Sequence, residues 1–343
     1  MTRFLVGITV AFAIAFVASA ATTRKNLIID TDFFSDVDDA GALLLAATSP
    51  EVNLLAVNVN YPSTFSALAV SAILAHYGRG EVPVGIRRPL TNATFFDSRS
   101  YTVGEYASKV AFHWSAGSSL PWGHAEDAWD PVALYRKVLA AAEDDSVTIA
   151  SIGFFENLSG LLNSTADSYS DLCGRELVAR KVSELVVMGG GYPSGHEFNF
   201  WGSNASLTAH VVNNWEGRVV FLGEEVGRPV LTGGPLMSKG PVSDPVRMAY
   251  IYYTYYAPRP SWDPLTVLYA IHGLGDWFEF GNEYGYNHVD VDGANRWVWD
   301  ETVQNQFFLK ARADDETIAT ELDRLFLEAA MTITTKLKVN SIL

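Results

Sequence analysis

Five carboxylates fall within ten residues near the start of the chain: Asp30, Asp32, Asp36, Asp38 and Asp39. They follow an apolar run, Leu27-Ile28-Ile29, and precede a nearly all-apolar segment from Ala40 to Ala47. The pattern reads as a buried strand, a short acidic loop and a helix that starts near Val37. A helix dipole favours an acid in its first turn by roughly 0.3–1 kcal/mol, too little to hold five acids together against a dry sheet edge. Such groups repel, and some must take up protons unless a cation joins them. An ordinary solvated acidic loop with one N-cap aspartate is the plain alternative. Ligands collect at the carboxyl ends of strands in open α/β sheets, which favours the cation. No His or Cys lies in the cluster, so all-oxygen ligation points to calcium or magnesium and away from zinc.

Three further places put polar groups where apolar runs end. They are Glu156-Asn157 after a strand at 146–152, Glu197-Phe198-Asn199 after Gly189-Gly190-Gly191, and Asp263 at the head of an apolar helix. Singly, each is an ordinary loop residue or helix cap. Together they suggest an acidic crevice on one edge of a sheet. Such a crevice suits a polyhydroxyl substrate such as a sugar and does not suit an anionic phosphate.

The elements that must position these groups alternate between strand and helix. Strand-like runs span 52–59, 82–86, 146–152, 183–188 and 218–222. Helical patterns span 63–76, 131–143, about 155–162, 264–271 and 315–330. This predicts the α/β class, with an open, mostly parallel sheet and helices on both faces. Residues 285–299 alternate around Asp292-Gly293, a hairpin signal. Residues 90–130 break the rhythm with Ser, Gly and aromatics such as Phe95, Phe96, Tyr101 and Trp122. That segment is either a surface excursion or an inserted lid, and long loops in compact domains favour the lid. Nothing resembles a linker or an internal repeat, so 21–343 is expected to be one domain.

Residues 1–20 carry Arg3, an apolar run from Phe4 to Val17 and Ala18-Ser19-Ala20, the layout of a cleaved signal peptide on a secreted, extracellular protein. Sequons at Asn92, Asn157, Asn163 and Asn204 agree with a secretory route. The single Cys173 excludes an internal disulfide, and the net charge of −15 argues against nucleic acid or an anionic membrane as partner.

The chain resembles the inosine–uridine-type nucleoside hydrolases, calcium-dependent N-ribohydrolases with an open, Rossmann-related α/β fold. Their fingerprint is a strand followed by Asp-x-Asp-Pro-Gly-x-Asp-Asp-Ala. Asp30-Thr31-Asp32 and Asp38-Asp39-Ala40 match its two ends, and the similarity runs from Asn26 to about Ala270. The loop Phe33 to Val37 is two residues longer and lacks the Pro-Gly. The resemblance implies that Asp32 is both a Ca2+ ligand and the base that activates water. It makes Asp39, Asp263 and the main-chain carbonyl of Glu156 further ligands, which excludes Asn157 as a glycan site and leaves Asn92, Asn163 and Asn204. Asp38 would hold ribose hydroxyls, Met188 would line the ribose, and Glu197 and Asn199 would contact its hydroxyls. Homo-oligomers are common in that family.

Some positions depart from the family pattern. Trp262 precedes Asp263 where base-nonspecific members of that family place a base-protonating histidine. It can stack on the base, with His196 and the aromatics of 90–130 as other candidates for neutralising the leaving group. The asparagine after the second strand has no match, with Ser63, or less directly Asn60, nearby. Asp36 has no counterpart. The expected function is therefore a secreted, calcium-dependent nucleoside hydrolase releasing base and ribose. The alternative is a ribose- or nucleoside-binding or surface-interaction protein that keeps the fold and the calcium site. A phosphotransferase using Asp30 and Asp32 would want Lys and Ser/Thr grips at later strand ends, where Glu and Asn stand.

Overall fold

The computed structural model describes residues 24–34, 36–94 and 104–340, with side chains described up to 332. The leader read over 1–20 and the aromatics Phe95, Phe96 and Tyr101 lie outside the described residues. Eight strands make the central sheet: β1 (Lys25–Thr31), β2 (Val52–Val59), β3 (Val84–Ile86), β4 (Val147–Ile152), β5 (Val182–Met188), β6 (Val219–Leu222), β7 (Phe278–Phe280) and β8 (Gln306–Ala311). Their order is β3-β2-β1-β4-β5-β6-β8-β7. All neighbours are parallel except β7, which runs antiparallel to β8 at the edge. The expected open, mostly parallel sheet is therefore present. The chain winds outward from β1 to β3 and then returns past β1 to β4. Between β1 and β4 the crossovers diverge and leave a crevice at the carboxyl ends of the strands.

β4 is buried along its whole length and β1 from Leu27 to Thr31, with an apolar centre at Leu27-Ile28-Ile29. The helix Asp38–Thr48 is buried from Asp38 to Ala47. It lies between the sheet, the helix Trp262–His272 and the C-terminal helix Asp315–Asn340. Gly41 allows that approach: a Cβ there would lie 2.6 Å from the Tyr250 hydroxyl and 2.8 Å from Phe326 Cζ. Ile318, Leu322 and Phe326 of the C-terminal helix are fully buried against this layer.

Several elements differ from the sequence reading. β3 begins at Val84 because Pro83 has no N–H for the ladder, although its carbonyl still accepts from Val57. β7, three residues long, and β8, whose buried positions do not alternate, were not legible. The C-terminal helix runs to Asn340 rather than ending near 330. Within 90–130, the helix Ala107–Trp114 packs on the helices Thr64–His76 and Pro245–Thr254. Trp129 extends the β3 edge, donating to the Val84 carbonyl at 3.0 Å. None of the described residues of this segment lines the cleft at the carboxyl ends of β1 and β4. The hairpin is present as Tyr286–Val289 and Asn295–Val298, with Gly293 turning at φ 90°. Ser194–Gly195 joins it as a third strand.

Phe326 fills the seam between the C-terminal helix and the buried first helix. Phe326→Ala should destabilise by about 3–5 kcal/mol, the usual cost of emptying a large aromatic site. The urea midpoint should fall accordingly, and an unchanged midpoint would show that this seam collapses freely.

Candidate active site

β1 delivers the first acids to the switch point. Asp30 does not reach the cleft. It is fully buried and accepts hydrogen bonds from the Tyr135 hydroxyl (2.7 Å), Asn60 Nδ2 (2.6 Å) and Asn157 Nδ2 (3.2 Å). Burial pushes its carboxyl up to about 7 despite these donors. Asn60 stands directly after β2, and its Oδ1 accepts from the Phe154 backbone N–H at 3.1 Å. One amide thus ties the ends of β1, β2 and β4 together. An asparagine thus stands directly after β2, and it serves Asp30 and does not line the cleft. Ser63 instead caps the helix Thr64–His76 and donates to the Ala93 carbonyl.

Asp32, Asp38, Asp39 and Asp263 all line the cleft. Asp38, Asp39 and Asp263 each offer an oxygen, and these oxygens lie within 4.8 Å of one another. Asp38 Oδ2 accepts from the backbone N–H groups of Trp262 (3.0 Å) and Asp263 (3.1 Å). It thereby holds the first turn of the helix Trp262–His272 against the acidic loop. Asp39 Oδ1 accepts from the Thr31 hydroxyl, whereas its buried Oδ2 has no partner among the described residues. Burial pushes all three carboxyls well above their ordinary range, and repulsion from neighbouring carboxylates, Asp32 among them, raises them further. Buried oxygens crowded together with one left unbonded are what a hard cation would relieve. The donor set therefore fits a metal. Gly153 lets the end of β4 press on this group: a Cβ there would sit 2.4 Å from the Asp32 backbone nitrogen. The Glu156 side chain is not part of the cluster; its carboxylate pairs with Arg87 at 2.8 Å and accepts from Ser203.

Across the cleft lie Met188, Glu197 and Asn199, brought there by the β5 exit. The Glu197 oxygens accept from the backbone N–H groups of Gly190 (3.1 Å) and Asn199 (2.9 Å). Burial nonetheless pushes its carboxyl up to about 8. Asn199 Nδ2 donates to the Met188 carbonyl at 3.3 Å. Asn295 of the hairpin grips this loop with both ends of its amide, accepting from Gly191 N–H and donating to the Gly191 carbonyl, each at 3.0 Å.

The cleft measures about 460 Å³. One wall was not legible in the sequence. Arg259 donates from Nε (2.9 Å) and Nη2 to the Asp36 carboxylate, and its guanidinium stacks over Tyr253 and Trp262. Trp262 lines the same wall, with its Nε1–H given to the Glu224 carbonyl at 2.8 Å. His196 also reaches the cleft, where its ring stacks on Trp201 and its Nε2 lies 3.0 Å from the Asp292 carbonyl oxygen.

The family model described as inosine-uridine preferring nucleoside hydrolase matches residues 27–328. The chain belongs to this family. The inosine-uridine preferring nucleoside hydrolase of Crithidia fasciculata is 27% identical over 271 residues, covering 72% of this chain and 79% of that protein. A solved plant nucleoside hydrolase superposes with a TM-score of 0.66 at 18% identity, over 89% of this chain and 99% of its own. A solved protein described as an effector superposes with a TM-score of 0.64 at 14% identity, over 90% and 94%. These structural likenesses show the fold. The nucleoside hydrolase family acts on small nucleosides, and in this member the acidic cluster can bind a metal.

Each raised carboxyl binds its proton more tightly in the folded chain than in the unfolded one. Its stabilising contribution is full below the unfolded carboxyl range and is lost as pH rises through the folded value. For Glu197 that window runs from its ordinary 4.5 to about 8. The metal-free protein should therefore have a lower urea midpoint at about pH 8 than at about pH 5, with saturating calcium narrowing the gap. A metal-free midpoint that rises with pH would contradict the assignment.

Proposed function

We propose that the chain is a secreted, calcium-dependent N-ribohydrolase that splits ribonucleosides into free base and ribose. The observation that carries this reading is the unpartnered Asp39 Oδ2 within a cluster of three buried carboxylates beside Asp32. Asp32, Asp39, Asp263 and the main-chain carbonyl of Glu156 would hold the ion. Calcium, when bound, would supply positive charge and polarise the oxygens gathered on it.

The protein's own groups do the rest. Asp32 is 5% exposed, so little bulk water competes for it, and it stands beside Asp39 in the cleft. It accepts the proton of the water that attacks the anomeric carbon. Asp38 is pinned by two backbone N–H groups and holds ribose hydroxyls, while Glu197, Asn199 and Met188 close on the other side. Positive charge growing on the ribose ring is met by these fixed carboxylates. Trp262 offers a face on which a base can stack. The leader at 1–20 supports export, as do the exposed sequon residues Asn92, Asn163 and Asn204. Asn157 is buried on Asp30 and is no glycan acceptor.

A second reading is a nucleoside- or ribose-binding surface protein with weakened catalysis. It is favoured by Trp262, whose Nε1–H is already committed to Glu224 and gives no proton to a leaving base. Turnover separates the two. The purified mature chain should release base and ribose from a nucleoside panel, and chelation should abolish release. Asp32→Asn should lower kcat by about 100- to 10,000-fold, the range for losing a positioned base, with the fold intact. Nucleoside binding without turnover would favour the second reading, and chelator-insensitive turnover would remove calcium from the first.

A further inference from the structure

The residue with no counterpart in the family fingerprint, Asp36, meets a distant arginine in space. Asp36 lies in the lengthened loop after β1, and Arg259 stands three residues before the tryptophan that replaces a histidine. Although 223 residues apart, they form a two-point ion pair inside the cleft. Asp36 is itself fixed: its Oδ1 accepts from Val37 N–H at 2.6 Å, and its carbonyl accepts from the Tyr106 hydroxyl.

The cleft needs a cation where the base leaves. As the C–N bond breaks, its electron pair stays on the base, and an anion would otherwise face a wall of carboxylates. Among the described lining residues, the permanently charged cations are Arg228 and Arg259. Arg228 is at the rim, its side chain 62% exposed and paired with Glu224 one turn earlier. Arg259 is the inner one, sandwiched by Tyr253 and Trp262 at 5.4 and 5.5 Å from their ring centroids. Among the described residues its hydrogen bonds to Asp36 use Nε and Nη2, which leaves the N–H groups of Nη1 for a ligand.

Resting on the hydrolase reading above, we propose that Arg259 is the catalytic residue that stabilises the departing base, and that Asp36 is its positioning residue. An arginine does not give up its proton at working pH, so it acts by donating hydrogen bonds to the base as negative charge develops. The balance is simple. The oxygen of water bonds to the anomeric carbon and its proton passes to Asp32. The C–N bond breaks with its pair on the base, and the released base takes a proton from solvent. Trp262 then supplies a stacking face and a side of the guanidinium's slot.

The test compares a nucleoside with an aryl riboside such as 4-nitrophenyl riboside, whose phenolate leaves without help. Both substrates need Asp32 and the acidic cluster, and only the nucleoside needs Arg259. Arg259→Gln should lower kcat/KM for nucleosides by about 100-fold or more, the scale of losing one preorganised donor, and for the aryl riboside by less than about tenfold. Arg259→Lys keeps charge without the fork and guards against a folding failure. It should lose nucleoside turnover selectively, as should Asp36→Asn, which leaves the guanidinium unpinned. Equal losses on both substrates would mean that the ion pair only shapes the cleft, and would overturn the proposal. So would full nucleoside turnover by Arg259→Gln. A wild-type chain inert toward both substrates would instead overturn the hydrolase reading, and this inference with it.

Discussion

Burying several carboxylates at one point of a dry sheet edge is the constraint around which the rest of the molecule is arranged. A lone buried carboxylate gives up its hydration and must be paired, bonded or protonated. The chain answers differently for each. Asp30 is surrounded by three donors from three separate elements. Asp38 takes two backbone N–H groups from the head of a helix, which also fixes that helix against the loop. Asp36 takes a guanidinium. Of the three clustered acids Asp38, Asp39 and Asp263, Asp39 is the one that keeps a buried oxygen without a partner among the described residues. That contrast separates acids that organise the scaffold from an acid kept ready for something that binds.

What was legible in the sequence was local. An apolar strand, an acidic loop and an apolar helix announce a strand-end site whatever surrounds them, because burial and the helix dipole act over a few residues. The same holds for Glu197 after its glycine run and for Asp263 at a helix head. The pairing of Asp36 with Arg259 was not legible, since no local periodicity links residues 223 apart. Asn60 was ranked behind Ser63 for a similar reason. Its role lies in touching Asp30 and Phe154, which only the β2-β1-β4 order brings together. The edge strand β7 was missed because it is three residues long, and β8 because its buried positions do not alternate. The segment at 104–130 carries lid-like composition, yet its described helix packs on two other helices and Trp129 extends the β3 edge.

The two sides of the cleft hang from different parts of the chain. The acidic side rests on β1, β4 and the helix Trp262–His272, locked by backbone contacts in which even a methyl group at Gly153 would collide. The opposite side rests on the β5 exit, whose shape is held by the Asn295 amide of the hairpin. Mutations in the hairpin can therefore reshape the grip on a ligand while the acidic side stays as it is. The architecture separates inheritance of chemistry from inheritance of taste: lineages sharing one reactive centre can diverge in what they accept by remodelling a peripheral ribbon distant in sequence.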